Sequence, residues 1–199
     1  MTKEQVGQVL WPDLDDPQTI KTRFKHAIYW LRRAVGRNAI VFEEEYYRFN
    51  RDLDYEYDVE AFESYLKRAH HVHDIVERIG YYRKAVDLVR GPYLYEVDED
   101  WVLIERERLG RVYISALEEL AQLYLDTNQL QECLEICKKA IARDRYNETI
   151  HQLEMRAYAA KGDRASVARR YKEYKDVLAE DLGLAPSEET EMIYRELTI

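Results

Sequence analysis

The sequence predicts a mainly α protein in two parts: a helix, turn, helix and β-hairpin, then an all-α bundle of repeated helix pairs. Three observations carry this. Apolar residues recur at helical spacing along almost the whole chain beyond residue 59. The period changes only at NAIVFEEEYYRFN, where β-branched and aromatic residues flank a short acidic break, as in a hairpin. A shift of 34 residues superimposes Tyr124 on Tyr158, Asn128 on Gly162, Cys133 on Val167 and Cys137 on Tyr171, and that period belongs to helix pairs. With 46% hydrophobic and 35% charged residues and only 7 Gly and 4 Pro in 199 positions, the composition excludes disordered, collagen-like and membrane classes. No apolar run approaches the ~20 residues of a membrane span, and the polar start MTKEQ is no secretory signal, so the cytoplasm is the expected compartment.

The elements follow in order. Thr2 and Gln5 form a capping-box pattern ahead of Val6, Val9 and Leu10, which predicts a short first helix. WPDLDDP breaks it, and Asp16 before Pro17 is an N-cap followed by proline at the first helical position, where the missing N–H costs nothing. In the helix that starts there, Ile20, Phe24, Ile28, Leu31 and Val35 share one face and form the expected core stripe. Thr19, Thr22, His26, Tyr29 and Arg33 point the other way, flanked by Arg23 and Lys25, and Gly36 supplies the stop. LDYEYDVE, residues 53–60, reads as an acidic linker, which divides the chain into domains 1–52 and 53–199. Beyond it helices are expected near 59–78, 81–89, 101–126, 130–142, 148–161, 165–181 and 187–197. Leu109, Val112, Ala116, Leu120 and Leu123 give the third of these its buried stripe, while Asn128, Gly162 and Gly183 mark boundaries and Asp163 is a cap.

Charge is segregated. The chain has a formal net charge of -9, yet residues 17–42 contain Lys21, Arg23, Lys25, Arg32, Arg33 and Arg37 and no Asp or Glu. Such a helix, presenting Thr, Arg, Lys and His on one side, can neutralise phosphates while its N-terminal residues reach base edges in a DNA major groove. Thr19, Thr22, Arg23 and His26 are the candidates for base-edge or groove contacts, and Lys25, Tyr29 and Arg33 for phosphates. The hairpin can serve as a wing. Glu43, Glu44 and Glu45 at its tip oppose a phosphate backbone, so the wing is expected to orient the helix rather than enter the minor groove. The competing readings are a basic face that is solvated or paired with acids of the helical domain, and a protein-interaction module in which the first part is only a structural cap.

Other chemistry is sparse. On one continuous helix only His70 and His73 of the His70, His71, His73 cluster would share a face, and no carboxylate arrangement accompanies them; no metal is expected. Cys133 and Cys137 lie four apart on one helical face and read as buried apolar thiols, with a redox or soft-metal pair as the sharper alternative. His151 reads as a packing or surface residue. There is no phosphate loop, nucleophile elbow or zinc motif, so neither catalysis nor a cofactor is expected.

LEELAQLYLDTNQLQECLEICKKAIARDRYN resembles a tetratricopeptide repeat, with Ala121, Tyr124, Cys133 and Ala140 at its packing positions and without the usual terminal proline. LWPDLDDPQTIKTRFKHAIYWLRRAVG with IVFEEEYYRFN resembles the second half of an OmpR-type winged helix-turn-helix, as found in SARP-class bacterial regulators. DVEAFESYLKRA, RGPYLYEVDEDWVLIERERL and YKEYKDVLAEDLGLAPSEETEMIYREL are similar to the bacterial transcriptional activator domain that accompanies it. The resemblance implies a sequence-specific regulator of double-stranded DNA. Its tetratricopeptide-like bundle would contact itself, other regulator domains or RNA polymerase. Residues 17–35 would then be the recognition helix, 40–49 the wing and 11–16 the turn. A full winged helix of this type opens with a small sheet and a first helix, so this partial version is expected to be the C-terminal part of a larger regulator.

Overall fold

The computed structural model describes residues 1–199. The chain divides into two compact units, Met1–Tyr57 and Asp58–Ile199. No helix is long and apolar enough to cross a membrane.

The first unit contains α1 (Lys3–Leu10), α2 (Pro17–Val35), β1 (Ile40–Glu43) and β2 (Tyr46–Phe49). The capping box is present: the Thr2 hydroxyl accepts from the Gln5 N–H, and the Gln5 amide oxygen accepts from the Thr2 N–H. Asp16 caps α2 by accepting from the N–H groups of Gln18 and Thr19, and Gly36 ends it at φ 102°. The two helices cross where α1 offers its buried Gly7. A Cβ there would lie 2.5 Å from Ile20 Cγ2, so only glycine allows the approach.

The core stripe of α2 is only half realised. Phe24 is buried and meets Tyr47 edge-on at 4.7 Å, but Leu31 and Val35 are 41% and 55% exposed. An α1 of eight residues is too short to cover a 19-residue helix. Strands β1 and β2 pair antiparallel, Ile40 opposite Phe49 and Glu43 opposite Tyr46. Met1 exchanges two backbone hydrogen bonds with Tyr47, of 2.8 and 3.1 Å, alongside β2.

The hairpin turn is made by Glu44 and Glu45 at φ 51° and 69°. A two-residue turn with both φ positive is the geometry that Asn-Gly fills without strain. Replacing the pair, Glu44→Asn with Glu45→Gly, is expected to stabilise the hairpin by about 1 kcal/mol. Slower hydrogen exchange at the Asn50 amide, which donates across the hairpin to Ala39, reports this; unchanged exchange would show that the turn carries no strain.

The second unit is all helical: α3 (Asp58–His71), α4 (Ile75–Leu88), α5 (Asp100–Asp126), α6 (Leu130–Arg143), α7 (Glu148–Ala160), α8 (Arg164–Leu182) and α9 (Glu188–Thr198). The expected helix over 59–78 is corrected. It breaks after His71, and Asp74 caps a new helix by accepting from the Glu77 N–H at 2.9 Å. The expected 81–89 helix is the second half of that same α4. His73 falls in the break, so it shares no helix face with His70, whose Nδ1 instead meets the Leu66 carbonyl oxygen at 2.7 Å.

The 34-residue period is real geometry. Helix α5 ends at Asp126 and α7 at Ala160, while α6 begins at Leu130 and α8 at Arg164. Asn128 and Gly162 both adopt left-handed backbone, φ 57° and 76°. The same bond closes each turn: Gln129 N–H to Tyr124 C=O at 2.8 Å, and Asp163 N–H to Tyr158 C=O at 2.9 Å. Cys133 and Val167 are both fully buried at equivalent positions.

The main core joins α3 to α7 around Tyr82, Leu117, Leu120 and Ile150, and a smaller cluster of Met155, Val167 and Ile193 lies against α9. Burying a large aliphatic side chain is worth about 2 kcal/mol, so these residues dominate the unit's stability. Both cysteines are free and buried, and hydrogen bonding with the Cys133 thiol, followed by burial, pushes the Cys137 thiol up. His151 is a packing residue, stacked on Tyr174 with ring centroids 4.1 Å apart, and burial holds its imidazole below the usual range.

Candidate nucleic-acid interface

Helix α2 carries all seven residues singled out in the sequence. Its start is built by Asp16 and Pro17, and its orientation by the Gly7–Ile20 crossing on one side and by the hairpin on the other. With Phe24 pinned inward, helical geometry turns Thr22, Lys25, His26, Tyr29 and Arg33 outward. All five are exposed. None of Lys21, Arg23, Lys25, Arg33 and Arg37 forms an ion pair, so the cationic side has no carboxylate to cancel it.

Each side chain has a defined state. The Thr22 hydroxyl donates to the Gln18 carbonyl at 2.9 Å, which leaves its lone pairs facing outward. Thr19 is only half-exposed, and its hydroxyl donates to the Asp16 carboxylate in a short contact. That bond, with the Thr19 and Gln18 amides, holds the Asp16 carboxyl below its ordinary range. Thr19 therefore completes the cap as well as facing the helix N-terminus. Tyr29 is 58% exposed and meets Trp30 edge-on at 5.4 Å, and the Arg33 guanidinium lies 5.4 Å from the Trp30 ring centroid. This stacking steadies Arg33 without neutralising it.

Arg32 departs from the basic ridge. Its guanidinium turns toward the hairpin and donates to the Ile40 carbonyl at 2.9 Å, so this cation ties α2 to β1. At the hairpin tip, Glu43 is paired with Arg48 in a short contact, which leaves Glu44 and Glu45 as the tip's uncompensated acids.

Two residues that shape this interface, Gly7 by setting the helix and Trp30 by steadying Arg33, escaped the sequence reading. Gly7 acts through a contact with Ile20, and the only signal was its place in the middle of a short helix, where glycine is otherwise unfavourable. Trp30 was a large aromatic off the core stripe, followed three residues later by arginine. Elsewhere the described residues contain no group of three or more His, Cys, Asp or Glu side chains arranged to hold a metal ion.

Comparison with known proteins bears on the whole chain. The solved structure of Mycobacterium tuberculosis EmbR, in complex with a low affinity phosphopeptide, matches 99% of this chain with a TM-score of 0.82 at 17% sequence identity. The match takes in 54% of the EmbR chain, so this chain spans about half that protein's length, and the likeness is one of fold. No curated protein sequence matches significantly. The model of the family described as Bacterial transcriptional activator domain matches residues 57–198, covering α3 to α9. The fold is thus a partial winged helix followed by a tetratricopeptide-like bundle, and the chain belongs to the bacterial transcriptional activator domain family.

Proposed function

We propose that this chain is the DNA-binding and activating part of a transcriptional regulator, with α2 lying in the major groove of double-stranded DNA. One observation carries this reading: an acid-free helix, fixed from behind by Gly7, Phe24 and Arg32, leaves five cations unpaired in and just beyond it, on a protein of net charge -9. Thr22, Arg23 and His26 are assigned to base edges, with Thr19 at the groove entrance. Lys25, Tyr29 and Arg33 are assigned to phosphates. Glu44 and Glu45 keep the wing tip off the backbone, so the hairpin holds the helix's angle. Residues 1–52 would form the DNA-binding domain and 53–199 the domain that contacts protein partners, among them RNA polymerase or other regulator domains. Nothing in this mechanism calls for catalysis, and the family is one of regulators rather than enzymes.

The test is anisotropy titration of the full chain on duplex DNA across a salt series. With about four to six phosphates neutralised, log affinity is expected to fall with log salt at a slope of roughly -4 to -5. Changing Arg23→Ala and Arg33→Ala together should reduce that slope by about 2 and weaken binding on every sequence, since each cation releases about one counterion. A slope near zero, or one unmoved by the double change, would leave the bundle as a protein-interaction module with a structural cap.

A further inference from the structure

Helix α2 carries one large apolar side chain on its cationic side. Thr19, Arg23, His26, Trp30 and Arg33 follow one another at spacings of four and three, so they form a single stripe along the side of α2 away from Phe24. Four of these five are polar or cationic, and Trp30 is the exception. Its indole is 59% exposed and belongs to neither hydrophobic core. Its neighbours, the Tyr29 ring edge-on at 5.4 Å and the Arg33 guanidinium at 5.4 Å, are themselves exposed. Stacking explains the posture of Arg33, but it leaves a large apolar ring standing in water, where its burial contributes nothing to the fold.

The flanking residues indicate what covers it. Tyr29 and Arg33 are the two groups assigned to phosphates at this end of α2, and both adjoin the indole. Along a DNA strand the group covalently joined to two phosphates is the deoxyribose between them, and that sugar presents C–H faces. An apolar ring beside two phosphate ligands therefore matches a phosphate–deoxyribose–phosphate unit on the wall of the groove. Base edges are reached nearer the helix start, since Trp30 lies about 6 Å of helix beyond His26. A protein segment seated on Trp30 would have to cover Arg23 and Arg33 as well, whose charges a polyanion matches.

We infer that Trp30 is a further DNA contact, its indole packed on the deoxyribose that joins the phosphates held by Tyr29 and Arg33. This contact rests on the proposed placement of α2 in the major groove.

The full chain is titrated by anisotropy against one mixed-sequence duplex across the salt series. Trp30→Ala should weaken binding about tenfold at every salt concentration and leave the slope unchanged, because a sugar contact buries apolar surface and releases no counterion. A slope reduced by about 1 would instead mean that the ring only steadies Arg33. Alanine is the better helix former, so unchanged hydrogen-exchange protection across α2 is expected to accompany the loss. Trp30→Phe should recover most of the affinity, since a smaller ring still covers the sugar. Replacing every thymine of the duplex by uracil keeps the sugars and should leave wild-type affinity unchanged within about twofold. In a chain carrying Trp11→Phe and Trp101→Phe, Trp30 is the sole remaining tryptophan of 3, and saturating duplex should shield it from acrylamide quenching. Wild-type affinity in Trp30→Ala, an indole still open to acrylamide at saturation, or a uracil-sensitive affinity that Trp30→Ala lacks would each overturn the contact, the last by seating the ring on thymine methyl groups. A wild-type slope near zero overturns the DNA reading and this contact with it. A wild-type slope of roughly -4 to -5 with a silent Trp30→Ala overturns this contact alone.

Discussion

Gly7→Val unfolds the first unit and leaves the second intact. The Cβ alone would sit 2.5 Å from Ile20 Cγ2, well inside van der Waals contact, and the obstructing atom belongs to a stiff β-branched side chain on the facing helix. Relief requires α1 to move off α2. That exposes Phe24, the one buried side chain of α2, and separates the helix from what orients it. Overpacking of this kind costs about 1–3 kcal/mol, and a unit of 57 residues has little more than that to lose. Hydrogen exchange should show loss of protection across residues 3–35 with unchanged protection in α5 and α6. On the proposed DNA-binding role, DNA affinity should fall to the level of a disordered basic segment. Gly80→Ala, where a Cβ meets nothing within 4 Å, is the control and should be neutral or stabilising. Retained protection in α2 of the Gly7→Val chain would show that the close crossing does not hold the unit together.

Arg106→Ala should release the segment between α4 and α5. The Arg106 guanidinium gathers three backbone carbonyls: Nε donates to Tyr93 at 2.7 Å, and Nη2 donates to Leu94 and, at 2.8 Å, to Val97. This segment has no regular secondary structure to satisfy those groups, and Leu94 is held at φ 41°, a conformation that leucine rarely adopts. One planar cation replaces a ladder. Losing hydrogen bonds to a charged group while a strained residue relaxes is expected to cost about 3 kcal/mol, read as a shift in the urea midpoint of the full chain. Arg106→Lys should recover less than half, because an ammonium cannot span three carbonyls in fixed fork geometry. New protease cleavage within residues 90–99 should accompany the loss. A stability loss of less than about 0.5 kcal/mol would mean that the segment holds its shape without the staple.

This arginine and this glycine show how much was legible in advance. The stretch RGPYLYEVDEDWVLIERERL carried part of the resemblance, but the link between its two ends appears only when Arg106 closes on residues 93–97. Gly7 and Ile20 are 13 positions apart, and no pattern in either helix announces their contact. The caps were plain: Thr2 with Gln5, Asp16, Asp163 and Asn128 each act within about one turn of their own position. The break before Asp74 was missed although Asp74 and Glu77 spell a capping signal, because the apolar period runs through it from both sides. Leu31 and Val35 belong to the apolar stripe but stay exposed, since periodicity says which face is apolar and nothing about whether a partner covers it.

The same division holds for the candidate interface. The segregation of basic residues onto one helix, the direction each points and the places where helices start, stop and repeat were all determined by the sequence, because capping, propensity and period act between near neighbours. Tertiary structure alone decided which polar groups remain available. Arg32 is drawn to the Ile40 carbonyl and Thr19 closes on Asp16, while Arg23, Lys25, His26, Tyr29 and Arg33 are left to solvent. A buried carbonyl must find a donor, and which donor it finds depends on residues that only the folded chain brings within reach.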